Sequence, residues 1–114
     1  MIENLKLTEI IVEAASDKKA KDIKVIDISK RSTIASFFVI CTGESTPQLK
    51  AIRDAIEDKA RAHKVKNIIL EGDPKSGWMI VDLGGVLVHI MSPKERAFYN
   101  LEELWGESGI IYHE

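Results

Sequence analysis

The stretch Phe37-Phe38-Val39-Ile40-Cys41-Thr42-Gly43-Glu44-Ser45-Thr46-Pro47 decides the fold. Its first five residues are continuously apolar, as in a strand covered on both faces and lying near the centre of a sheet. Thr42 to Pro47 then reads as a loop entering a helix. Ser45 or Thr46 can cap exposed N–H groups, and Pro47 lacks an N–H where none is needed. Downstream, Leu49, Ile52, Ile56 and Ala60 form a buried helical stripe, with Lys50, Arg53, Asp54, Glu57, Asp58 and Arg61 on the solvated side. Upstream, Ile23 to Ile28 carries the β-branched residues and partial alternation of another strand, and Leu5 to Lys19 has helical spacing.

The rest follows the same logic. Asn67 to Glu71 reads as a third strand, and Gly72 to Gly77 as a loop punctuated by Gly and Pro. Trp78 to Leu83 and Val86 to Met91 are strands joined by Gly84-Gly85, a pair able to take the positive φ values of a two-residue hairpin. Ser92-Pro93-Lys94-Glu95 is a capping box, opening a helix that carries Phe98, Leu101 and Leu104 or Trp105 inward and stops at Gly106. The predicted architecture is α/β: a mixed sheet of about five strands packed with helices, in one domain spanning 1–114. The link between the first two strands is too short for a helical crossover, which makes that pair antiparallel. The link through the second helix suits a parallel neighbour.

Composition narrows the function. The chain has 114 residues, 45% hydrophobic, and 16 Lys plus Arg against 18 Asp plus Glu, so it carries no general field for polyanions. Cys41, the only cysteine, sits in an apolar run as a reduced, buried thiol and points to a reducing compartment. No leader pattern and no long apolar run appears, so the cytoplasm is the expected location and no membrane is expected as a partner.

Sites for chemistry are weak. Thr42-Gly43-Glu44-Ser45 has neither glycine-rich phosphate pattern, and Glu44 would repel an anion, so it reads as a helix-entry turn. Asp82 could hold a metal for nucleotidyl transfer. However, its same-face neighbours are Ile80 and Gly84, and the paired carboxylate that a two-metal site needs is missing. His63, His89 and His113 lack metal-ligand spacing. His89, in an apolar strand, reads as a structural or interface histidine. Ser45 reads as a cap, and Lys18 to Asp22 as a solvated helix end with RNA contact as the minor reading. No cofactor is expected. Binding of another macromolecule is favoured over catalysis, with Phe98 and Trp105 assigned to the core and Trp78 and Tyr99 divided between core edge and interface.

The ordered set Lys19-Ala20-Lys21-Asp22-Ile23, Phe38-Val39-Ile40, Thr42-Gly43-Glu44-Ser45, Glu71-Gly72 followed by Trp78, Val88-His89-Ile90 and Arg96-Ala97-Phe98-Tyr99-Asn100-Leu101-Glu102-Glu103-Leu104-Trp105 resembles the ribosomal silencing factor family, also called Iojap-related. Ser36 and Gly85 stand where the family pattern has acidic residues. The resemblance implies a nucleotidyltransferase-like fold without the catalytic carboxylate set. It also implies a translational repressor, not an enzyme, that binds the large ribosomal subunit through large-subunit ribosomal protein number fourteen and blocks small-subunit joining. A minor ribosomal RNA contact and a homodimer in the free state are further expectations. The resemblance and local chemistry together place the partner surface at Trp78, Ile80, Asp82, Val88, His89, Pro93 and Tyr99. Alternation puts Trp78, Ile80 and Asp82 on one face and gives Val88 the opposite parity from His89, so these residues cannot all share one flat patch. A metal-dependent nucleotidyltransferase-like enzyme and an RNA-processing scaffold are the alternatives.

Overall fold

The computed structural model describes residues 2–105 and 109–114. The elements in chain order are α1 (Asn4–Asp17), β1 (Lys21–Asp27), β2 (Phe37–Thr42), α2 (Thr46–Ala62), β3 (Ile69–Glu71), a 3-10 turn (Pro74–Ser76), β4 (Trp78–Asp82), β5 (Val86–Met91), α3 (Pro93–Tyr99), α4 (Leu101–Trp105) and β6 (Ile110–His113). The six strands form one mixed sheet in the order β3-β4-β5-β2-β1-β6. Among the described residues only β2 and β5 pair in parallel, and β1 is antiparallel to β2 as the short connection requires.

Two features of the sheet differ from the sequence reading. The parallel neighbour of β2 is β5 rather than β3, which sits at the far edge beside β4. Burial explains the choice: β5 is apolar and almost wholly buried, whereas all three residues of β3 are exposed. A sixth strand, β6, lies at the other edge, antiparallel to β1. Its four residues are too short a run to announce themselves by periodicity.

α1 and α2 cover one face of the sheet, burying Leu7, Ile11, Leu49, Ile52 and Ile56 against Val25, Val39, Met79, Val88 and Ile90. Each such side chain contributes about 1.5–3 kcal/mol relative to an exposed one, so this layer dominates the fold. Ser45 caps α2 as expected, its Oγ accepting from the Gln48 N–H at 3.1 Å. Cys41 is fully buried, and desolvation pushes its thiol up to about 12, which keeps it protonated and inert. The β4–β5 hairpin closes through Leu83 N–H to Val86 C=O at 2.9 Å, with Gly84 alone of the turn pair at positive φ. Glycine takes this conformation without the Cβ penalty other residues meet.

The opposite face is covered more thinly. Leu101, Trp105 and Ile110 pack on Ile26, Phe38, Ile40 and Met91. Ser92 caps α3, accepting from the Glu95 N–H at 3.2 Å, but the helix expected to continue through Trp105 breaks at Asn100, whose φ is 46°. The left-handed residue resets the helical phase. As a result Phe98 is 78% exposed, correcting its assignment to the core, while Trp105 turns inward. The stop expected at Gly106 lies outside the described residues.

Candidate functional site

Alternation along β4 aims Trp78, Ile80 and Asp82 at the thinly covered face, opposite Met91, His89 and Leu87 of β5. On the other side, Glu71 and Ile69 of β3 lie opposite Ile80 and Asp82. Because α3 and α4 are short and lie over β1, β2 and β5, the β3–β4 half stays open, with Trp78 and Ile80 half-buried and Ile69 52% exposed.

Aromatic contacts run from the interior to this surface. Phe38 meets Trp105 edge-on at 5.0 Å and His89 at 4.6 Å. The Trp78 indole N–H donates to His89 Nδ1 at 3.1 Å. Trp78 then contacts Tyr99 at 4.5 Å between centroids, and Tyr99 meets Phe98 at 4.9 Å. The buried end of this chain holds the outer rings in place, so the surface is pre-organised rather than assembled on contact. Trp78, Ile80 and Tyr99 line a shallow cleft of about 330 Å³ whose rim includes Glu71 and Glu95. An apolar centre edged by carboxylates suits a basic partner.

His89 serves this face from beneath. Burial pushes its pKa down from 6.5 to about 4, so the ring is neutral. With Nδ1 accepting from Trp78, the ring proton belongs on Nε2, which is buried and has no hydrogen-bond partner among the described residues. A histidine held below its unfolded value binds its proton less readily when folded. Its neutral state therefore costs nothing above pH 6.5, and stability falls as pH drops from 6.5 towards 4, by at most about 1.4 kcal/mol for each pH unit. Urea titrations across that window should show this decline, and His89→Gln should flatten it. An unchanged slope in the variant would remove His89 as the cause. Asp27 and Asp54, held below 3.8, lose their contributions only at lower pH.

The structure gathers Trp78, Ile80, Asp82 and Tyr99 on one face, with His89 as their support. Val88 does not join them. It is fully buried on the opposite face beneath α1 and α2, because its parity on β5 is that of the core. Pro93 is exposed but lines a separate cleft with Lys21, Asp22 and Arg96. Asp82 Oδ1 accepts from the Gly84 N–H at 2.9 Å, so this side chain also closes the hairpin. Sequence reasoning missed Phe98, Ile69, Glu71 and Glu95. The one available signal was Asn100, a residue tolerant of the left-handed conformation that breaks the helix after Phe98 and Tyr99.

At the start of α2, groups that a phosphate would use are engaged within the chain. The Glu44 N–H donates to Gln48 Oε1 at 2.7 Å, and Glu44 pairs with Lys21 at 2.7 Å. Among the described residues no three His, Cys, Asp or Glu side chains cluster as a metal site, and no helix is long and apolar enough to cross a membrane. Ser36 and Gly85 adjoin: the N–H groups of Ser36 and Phe37 donate to the Gly85 carbonyl at 2.8 and 3.2 Å. The two positions at which the resemblance led us to expect acidic residues therefore adjoin.

Fold and face together define a mixed-sheet α/β protein with helices on both faces and an aromatic surface left open over β4. The family model described as ribosomal silencing factor during starvation matches residues 2–113. The chain is 38% identical over 110 residues to the ribosomal silencing factor RsfS of Halalkalibacterium halodurans, covering 96% of this chain and 94% of that protein. It is 39% identical over 102 residues to the RsfS of Bacillus subtilis, covering 90% and 86%. A crystal structure of a Chromobacterium violaceum protein superposes with a TM-score of 0.87 at 35% identity, covering 92% of this chain and 88% of that one. The chain belongs to the ribosomal silencing factor family.

Proposed function

We propose that this protein acts as one domain in the cytoplasm, as a translational repressor that binds the large ribosomal subunit through large-subunit ribosomal protein number fourteen and blocks joining of the small subunit. The observation that carries the reading is the open aromatic face of Trp78, Ile80 and Tyr99, with Glu71 and Glu95 at its rim, in a member of this family. Ribosomal proteins are typically basic, and a rigid apolar patch edged by carboxylates complements such a surface. Steric obstruction needs bulk and shape rather than a reactive group, so the protein works as a binder and not as an enzyme. Lys18 and Lys19, exposed at the end of α1, supply a minor ribosomal RNA contact.

Co-sedimentation tests this. The protein should travel with salt-washed large subunits and reduce the yield of joined ribosomes. Remaining at the gradient top at every salt concentration would defeat the proposal. Metal-dependent nucleotide turnover abolished by Asp82→Ala would favour the enzyme alternative instead. The same exposed face, with Phe98 and Tyr99 unsatisfied, supports a homodimer in the free state. Light scattering in the micromolar range should return twice the chain mass, and the ribosomal protein should compete with self-association. A monomer throughout would reject the dimer while leaving the repressor reading intact.

A further inference from the structure

At the opposite edge of the sheet from β3, a groove of about 470 Å³ runs between α1 and β6. Leu5, Val12, Ile111 and Tyr112 supply its apolar surface, and Leu5, Ile111 and Tyr112 are 46%, 50% and 40% exposed. A register shift produces this arrangement. Val25 pairs with Tyr112 and Ile26 with Ile110, leaving Ile111 as the extra residue of a bulge. The bulge turns two successive side chains, Ile111 and Tyr112, towards the groove, where strict alternation would have sent one to each face. Such a kink has a cost in pairing, and the apolar surface it presents is left uncovered by the described residues.

The groove's charge has one sign. Glu9, Glu13 and Asp17 recur at four-residue spacing along its α1 wall, Glu114 stands at its end, and no Lys or Arg is among the described residues lining it. Lys6 pairs with Glu9 at 3.3 Å on the solvent side, but no ion pair among the described residues engages Glu13 or Asp17. Like charges four apart on a helix repel, at a few tenths of a kcal/mol per pair. Glu114 is fixed in place, accepting from Ser16 Oγ at 2.8 Å and Tyr112 Oη at 2.6 Å, and these bonds hold its carboxyl below the usual range.

Among the described residues no strand pairs with the outer edge of β6. Ile23 and Glu114 exchange both N–H to C=O bonds, so the next pair, Lys24 with His113, is a non-bonded one. The His113 N–H and C=O therefore point away from β1. A bulge and charged side chains are also means of protecting an edge from self-association. Protection alone does not require an apolar groove beside the edge.

We propose that the α1–β6 groove is a docking site for an extended cationic peptide segment, which adds to β6 as a further strand, seats an apolar side chain against Ile111 and Tyr112, and pairs its lysines or arginines with the α1 carboxylates. Unpaired backbone groups give affinity, and the groove and its charges give selectivity. The inference is independent of the ribosomal reading, because this edge lies across the sheet from the Trp78 face.

The probe is a blocked peptide of alternating lysine and valine, followed by amide NMR of the full chain. Its binding should shift resonances along β6 and the outer side of α1 and slow exchange of the His113 amide. A blocked lysine–proline peptide of equal charge, which cannot pair as a strand, should bind far more weakly. Neutralising the wall with Glu9→Gln, Glu13→Gln and Asp17→Asn together should weaken binding roughly tenfold, as three exposed ion pairs would. The thermal midpoint of that variant should hold or rise, since helix repulsion is relieved, and its co-sedimentation with large subunits should be unchanged. Absence of binding at low salt, equal binding of the proline peptide, or equal binding to the neutralised variant would each overturn the proposal. Concentration-dependent protection of His113 without peptide would overturn it too, by naming a second copy as the occupant.

Discussion

Trp78→Ala is expected to weaken affinity for the isolated ribosomal protein about thirtyfold, or about 2 kcal/mol, the scale of an interface hot spot. Trp78 is half-buried between His89 and Tyr99 and borders the cleft with Ile80, so truncation removes the centre of the open face. It also leaves His89 Nδ1 without its donor, which adds a stability loss of about 1–3 kcal/mol unrelated to binding. Companion variants separate the two effects. Tyr99→Ala removes a ring that is 46% exposed and should affect binding more than folding. Asp82→Ala removes the acceptor of the Gly84 N–H together with a negative charge on the same face. Affinity and thermal unfolding would be measured for each. Folded Trp78→Ala and Asp82→Ala proteins that both retain parental affinity would sink this placement of the surface.

Arg96→Ala should cost about 1.5–3 kcal/mol of stability, the scale of charge-assisted hydrogen bonds from a buried donor whose carboxylate partners are partly exposed. The Arg96 side chain is 7% exposed and ties four elements together. Nε donates to Glu102 Oε1 at 3.1 Å, Nη1 donates to Thr42 Oγ1 at 2.9 Å, and Nη2 lies 3.4 Å from Asp22 Oδ2. Lys24 also pairs with Glu102, at 3.8 Å, but a single ammonium does not reproduce the fork of donors that the guanidinium presents to three partners. For Asp22, burial opposes ionisation, but the hydrogen bond from His113 and the charges of Arg96 and Lys24 outweigh it and hold the carboxyl below 3.8. Without Arg96, α4 loses its anchor, and Trp105 should become more exposed as it leaves Phe38. Urea unfolding followed by tryptophan emission reads both changes. A loss below about 1 kcal/mol would show the network to be no stronger than a surface pair. The sequence marked Arg96 only as part of a family motif, and its burial came from the structure.

Comparing particular residues shows why some of the site was legible and some was not. Trp78, Ile80 and Asp82 share a face because side chains alternate along any strand, so their grouping was available from spacing alone. The separation of Val88 from His89 was available for the same reason. What spacing lacks is a sign: it says that two faces differ, not which one the helices cover. Pro93 adjoins β5 in sequence, yet the turn into α3 carries it to another cleft. Phe98 falls at core spacing for one continuous helix, and Asn100 removes that continuity.

The sequence by itself determined most of the elements and several of their local ends, but neither the break at Asn100 nor the strand β6. The β2 strand, the Ser45 and Ser92 caps, the hairpin at Gly84 and the buried Cys41 all follow from interactions within a few residues, where side-chain period and backbone preference act directly. Only the tertiary structure decided the strand order, the place of β6 beside β1, the open half of the second face and the groove along α1. These depend on which apolar surfaces find each other over long separations. Many arrangements satisfy the same local pattern, and the one adopted is set by the burial and strand pairing of the chain as a whole.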